Sequence, residues 1–168
     1  MPTLLNPAIP IPAGPETARA ELVLLCRVRS WFCALPVAHV EETMRPLPVG
    51  PLAAAPAFVT GLSIIRGRPT PVVDTGALLG ARDEAHPRRL VVLRLGERRV
   101  ALAVEEVLGV RALSGATLHR LPPLLSEAGR DAVSAIGALD DALLLALDAG
   151  RLVPQAVWDA VAVGGAAP

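Results

Sequence analysis

An internal repeat constrains this chain more than any other feature. Displaced by 67 positions, Leu25-Cys26-Arg27-Val28 falls on Val92-Leu93-Arg94-Leu95 and Val40 on Val107. In the same register, without a gap, Ala34-Leu35-Pro36-Val37 falls on Ala101-Leu102-Ala103-Val104. Farther along, Gly61…Asp74 finds a counterpart in Gly137…Asp148, two residues shorter. Identities are few, but apolar positions and turns recur together. Two copies are too few for a solenoid, so the pattern predicts two similar modules packed on each other. Such pairs commonly work by presenting surfaces.

Composition narrows the core. The chain has 168 residues, enough for one domain or two small halves sharing an interior. Hydrophobic residues make up 52%, yet aromatics are 2% and Tyr is absent, so the core must be built from Val, Leu, Ile and Ala. Sixteen basic residues, all Arg, balance sixteen acidic ones. That balance argues against nucleic acid, whose phosphates call for a basic excess. No apolar run approaches the roughly 18 residues of a membrane span. Met1 to Pro15 lacks the basic and apolar segments of a secretory signal, so a cytoplasmic location is expected, with no membrane insertion.

Residues 1–18 carry Pro2, Pro7, Pro10, Pro12 and Pro15 without apolar period and are expected to form a disordered tail. One domain is expected over 19–163, with repeat halves at about 20–80 and 89–153 and a frayed end at 164–168. Leu22–Val28 and Trp31–Leu35 read as a hairpin around Arg29-Ser30. Leu90–Leu95 and Arg99–Val104 are its repeat, turning at Gly96-Glu97. Short turns at Val37–His39 and Glu105-Glu106 lead into strands Val40–Leu47 and Val107–Leu113. Pro46 to Pro56 is a loop. Phe58–Ile65 and Pro71–Val73 form a hairpin about Arg66-Gly67, and Asp74 caps a short helix ended by Gly80. In the second copy, Leu118–Gly129 reads as a loop, and Val133–Leu139 and Ala142–Leu147 as strands about Asp140-Asp141. Asp148–Val153 reads as a helical turn, and Gln155–Val163 as a terminal helix anchored by Trp158. Many short strands with Pro/Gly turns indicate a barrel or sandwich.

Catalytic patterns are scarce. His39, His86 and His119 are isolated, no metal-ligand spacing occurs, and no phosphate-cradling glycine loop or nucleophile elbow is present. No cofactor is expected. Cys26 and Cys33 would face each other across the first hairpin and read as small apolar fillers. An enzyme using Asp74 or Glu42 with His39 as acid and base would require those groups to converge in a deep pocket. A nucleic-acid-binding barrel pair would need stacking aromatics that the chain lacks. The passage Gly61 to Asp74 leaves two readings open. One is a plain hairpin with Arg66 in water. The other is a rigid hairpin holding a guanidinium fork beside a groove, ready for a carboxylate.

That passage, Gly61-Leu62-Ser63-Ile64-Ile65-Arg66-Gly67-Arg68-Pro69-Thr70-Pro71-Val72-Val73-Asp74, resembles the G-v-x-N-l-R-G-x-x-x-P-v-x-D segment of CheW-like domains. Phe32–Thr43 is similar to that family's segment ending V-x-E, with Val40 and Glu42 in the matching places. Arg89–Val110 and Gly137…Leu147-Asp148 resemble its second-half patterns. The matches keep their order over about residues 20–153. Ile64, Thr43 and Ala101 depart from the pattern, standing where the family has Asn, an apolar residue and Gly.

The resemblance implies a mostly β fold of two intertwined five-stranded barrels of the Src-homology type, with short helices and a shared apolar core. It implies a non-enzymatic adaptor coupling the cytoplasmic tips of methyl-accepting chemoreceptors to the regulatory domain of a CheA-type histidine kinase. It also implies a place at receptor arrays, in chemotaxis or in a related system governing pili or development. Carried over, Val40, Glu42 and Arg66 would line the receptor groove, with Glu42 and Arg66 ion-paired at its edge. Val104, Val107 and Val110 are the corresponding apolar candidates in the second copy.

Overall fold

The computed structural model describes residues 20–114, 118–120 and 132–165. The expected tail, residues 121–129 of the expected loop and the last three residues lie outside these. The first half contributes β1 (Glu21–Val28), β2 (Trp31–Pro36), β3 (Val40–Met44), β4 (Val59–Ile65) and β5 (Arg68–Asp74). The second contributes β6 (Arg89–Leu95), β7 (Arg98–Val104), β8 (Glu106–Leu113), β9 (Leu118–Arg120), β10 (Val133–Leu139) and β11 (Ala142–Leu147). Helix α1 (Thr75–Leu78) follows β5, and α2 (Gln155–Gly165) closes the described chain. The leucine-rich Ala142–Leu147 is a strand, as expected. Leu118–Arg120, expected as loop, is a short strand paired with β10.

The two sheets do not correspond to the two halves. One runs β8-β1-β2-β11-β10-β9, the other β3-β6-β7-β5-β4. Each half therefore gives its leading hairpin to the sheet of the other. The hairpin β1–β2 lies between β8 and β11, and β6–β7 lies between β3 and β5. Repeat-related strands take equivalent places, including the parallel contacts β2–β11 and β5–β7. The sheets are the two curved units expected, with β9 as an addition to one.

This exchange explains why the exchanged strands are apolar on both faces. One face of β1 (Leu24, Cys26, Val28) and β2 (Cys33, Leu35) meets Val91 and Leu93 of β6 and Val100, Leu102 and Val104 of β7 in a core shared between the sheets. The opposite faces fill separate interiors: Val23, Leu25 and Ala34 in one sheet, Leu90, Val92, Ala101 and Ala103 in the other. A strand buried on both sides reads as a continuous apolar run. Each fully buried Val or Leu contributes roughly 1.5–3 kcal/mol, and the chain supplies it almost entirely from aliphatics. Cys26 and Cys33 are register partners, buried and free. Burial pushes the Cys26 thiol up to about 12 and raises Cys33 as well, so both remain poor nucleophiles.

The later hairpins align without a gap at a displacement of 74, which corrects the two-residue deletion read from the glycines. β4 falls on β10, and each pair breaks register at the same place, between Val59 and Gly61 and between Val133 and Ala135. Ala135, not Gly137, is the counterpart of Gly61. At Gly61 (φ 149°) a Cβ would sit 2.0 Å from the Gly50 carbonyl oxygen, because the proline-rich loop crosses β4 there. Gly50 and Leu62 exchange backbone hydrogen bonds of 2.7 and 2.8 Å, and the Ser63 hydroxyl donates to the Pro48 carbonyl at 2.7 Å. The loop thus covers the outer edge of β4, a solution to the exposed-edge problem. Pro69 and Pro71 sit in β5 ahead of Val72, where pairing with β7 begins, so their missing N–H groups cost no ladder bond.

Candidate functional site

The β4–β5 turn places Arg66 and Gly67 at φ 52° and 75°, both in the left-handed region. Two successive residues of that kind give the tight turn whose twist suits a hairpin. β3 lies at the opposite end of the same sheet, so only curvature brings Glu42 to this turn. The Arg66 Nε donates to Glu42 Oε1 at 3.1 Å and its Nη2 to Oε2 at 2.9 Å. The planar fork is satisfied bidentately, joining the two ends of the curved sheet. The Arg66 side chain is 71% exposed and that of Glu42 22%. The Arg66 hydrogen bond holds the Glu42 carboxyl below its ordinary value, against partial desolvation, with further help from the charges of Arg66 and Arg99. The same bond raises Arg66. Beside it, Arg99 donates to Glu41 at 2.7 Å. The structure therefore brings Glu42 and Arg66 together at an exposed rim.

The valines separate. Val40 is half-buried and packs on the shared core, as does Val107 in the repeat-related position. Val110 is 56% exposed on β8. Val104 has no accessible surface and belongs to the shared core, so it has no surface to offer a partner. Its alternation along β7 puts it on the same side as Val100 and Leu102. Ile64, at the family's Asn position, points outward at 64% exposure. Ala101 fills the interior of its sheet, and Thr43 is exposed, paired in register with Val91.

Sequence reasoning missed a second arginine cluster. Arg29 begins the β1–β2 turn at φ 56°, and its side chain is only 9% exposed. Its Nη1 donates to Glu105 Oε1, and its Nη2 reaches both oxygens of Asp74 at 3.2 and 3.3 Å. Its Nε donates to Asp83 Oδ1 at 3.1 Å, and its backbone N–H donates to Glu105 Oε2 at 3.0 Å. Burial alone would lower this guanidinium, but Glu105, Asp74 and Asp83 together raise it. Asp74 also caps α1, accepting from Ala77 N–H at 3.3 Å. Gly76 leaves room for the group, since a Cβ there would lie 2.5 Å from Arg29 Cζ. The only sequence signal was an arginine at a turn where the repeat has Gly96.

The acid–base constellation does not assemble. Asp74 is committed to Arg29 and Glu42 to Arg66, while His39 lies exposed on the turn Val37–His39. Among the described residues no group of His, Cys, Asp and Glu is placed to hold a metal ion, and no helix is long and apolar enough to cross a membrane.

Comparison with known proteins agrees with this architecture. The chain is 26% identical over 126 residues to a chemotaxis protein CheW of Rhizobium meliloti, covering 74% of this chain and 81% of that protein. To the CheW of Thermotoga maritima it is 26% identical over 134 residues, covering 79% and 87%. The crystal structure of the scaffolding protein TtCheW from Thermoanaerobacter tengcongensis superposes with a TM-score of 0.66 at 19% identity, over 79% of this chain and 92% of that one. The CheW-like domain pattern matches residues 22–157, so the protein whose two hairpins change places between its sheets belongs to the CheW-like domain family.

Proposed function

We propose that this chain is a non-enzymatic adaptor that couples transmembrane chemoreceptors to a CheA-type histidine kinase. The observation that carries the reading is the bidentate Glu42–Arg66 pair, at positions matching the family's receptor-binding segment and on an open rim. An exposed pair of this type contributes about 0.2–1 kcal/mol to stability, too little to explain its placement as a structural brace. Its use is to present a fixed guanidinium face beside Val40, against which a receptor's helical tip docks. Val107 and Val110 are apolar contacts of the second half. The kinase's regulatory domain meets the ends of the curved sheets, and the protein acts in the cytoplasm at receptor arrays.

Transmission requires contacts that differ between signalling states, since equal contacts shift no equilibrium. Several weak interfaces acting together suffice for stable assembly. The test is capture of kinase and receptor fragments by wild type and Arg66→Glu. Charge reversal opposite Glu42 is expected to reduce receptor capture while leaving the fold intact. Equal capture by the two proteins overturns the assignment of this rim.

A further inference from the structure

A cleft of about 600 Å³ lies between the connection of the two halves and the start of β8. His86, Arg88 and Arg89 form one wall, Arg27 and Glu106 the other, and Val107 the half-buried floor. Its charges do not cancel. Glu106 is paired with Arg27 at 3.5 Å, and Glu105, at the back, is taken by Arg29. Among the described residues Arg88 and Arg89 have no carboxylate partner, and both are exposed, as is His86. In a chain with a net charge of zero, this is an uncompensated cationic strip.

The cleft is also braced. Arg29 holds Glu105 behind one wall, and it binds Asp83 through both the carboxylate and, at 3.3 Å, the main-chain carbonyl on the connection forming the other. The Arg88 backbone N–H donates to Val104 O at 3.0 Å, which fixes where the two arginines start. One buried guanidinium therefore ties both walls together. A preformed cleft loses little freedom on binding.

We propose that this cleft docks an acidic segment of a partner protein, with carboxylates on Arg88 and Arg89 and an apolar side chain on Val107. Bidentate arginine–carboxylate pairing supplies the recognition. Nucleic acid fits less well, because Phe and Trp number only two each in the whole chain and the strip is short. The identity of the partner rests on the adaptor reading; the chemistry of the cleft does not.

The test titrates octaglutamate, and separately oligothymidylate of equal charge, into the isotope-labelled full chain and follows amide shifts. Octaglutamate is expected to shift residues 86–89 and 105–107. R88E/R89E is expected to weaken it by about tenfold or more, while the control R45E/R94E, outside the cleft, leaves it unchanged. No shift in the cleft, equal weakening by the control pair, or tighter binding of the oligonucleotide overturns the proposal. Kinase and receptor capture by wild type runs in parallel. Its failure sinks the adaptor reading, and the titration still decides the cleft.

Discussion

Arg29 and Arg66 make an instructive pair. Each sits at the head of a hairpin turn in left-handed backbone, at φ 56° and 52°, a conformation that costs a residue with a Cβ roughly 1–2 kcal/mol. Each meets carboxylates through its planar fork. They differ in water: the Arg29 side chain is 9% exposed among three acidic groups, that of Arg66 71% exposed with one. Burial turns the same chemistry into a structural fastening in one place and leaves it available in the other. The repeat shows that the fold demands neither, since the counterparts are Gly96 and Asp140.

The sharpest way to break the comparison is to remove each guanidinium. Arg29→Met strands Asp74 and Glu105 and is expected to cost about 3 kcal/mol in urea unfolding. Arg29→Gly, which relieves the left-handed turn, is expected to be milder than Arg29→Ala by about 1 kcal/mol. Arg66→Ala is expected to cost no more than about 1 kcal/mol. Equal losses at the two positions would show that burial is not what separates them.

Gly61→Ala tests the crossing loop and comes next in size, at about 2–3 kcal/mol, since the obstruction is backbone. Gly76→Ala follows at about 1–2 kcal/mol, and its cost is expected to vanish in an Arg29→Ala background. A cost that persists there would mean that α1, not the guanidinium, resists the methyl group.

Acid gives the smallest and most selective effect. Glu42 is held below its ordinary value of 4.5, so the unfolded chain protonates first on acidification. Its contribution is full above that value and is lost as pH falls through the lower folded value. Wild type should therefore lose slightly more stability than Glu42→Gln as pH falls below 4.5, and equal loss would remove the pair from the account.

Much of the strand order was legible because each hairpin announces itself locally, through apolar runs broken at Arg29-Ser30, Arg66-Gly67, Gly96-Glu97 and Asp140-Asp141. The Glu42–Arg66 pair became legible through family resemblance, since nothing local joins residues 24 apart across a curved sheet. Three features were hidden for physical reasons. Val104 looks like Val107 in sequence, but Val104 ends β7, which is buried on both faces, whereas Val107 lies on β8, where half-buried and exposed residues alternate. Gly61 was matched to Gly137 by letter, whereas the register bulges match it to Ala135. Arg29 finds Glu105 across 76 positions, a closure that no spacing rule encodes.

The traded hairpins also bear on how such a chain is made. β1 and β2 leave the ribosome first, yet their sheet neighbours β8 and β11 are synthesised some eighty to over a hundred residues later. A nascent first half thus carries a hairpin greasy on both sides with nothing to cover it. Contacts so distant along the chain slow folding. Cutting the molecule at its midpoint would yield two fragments, each missing the centre of its own sheet. Neither should be stable alone, and mixing them should restore both.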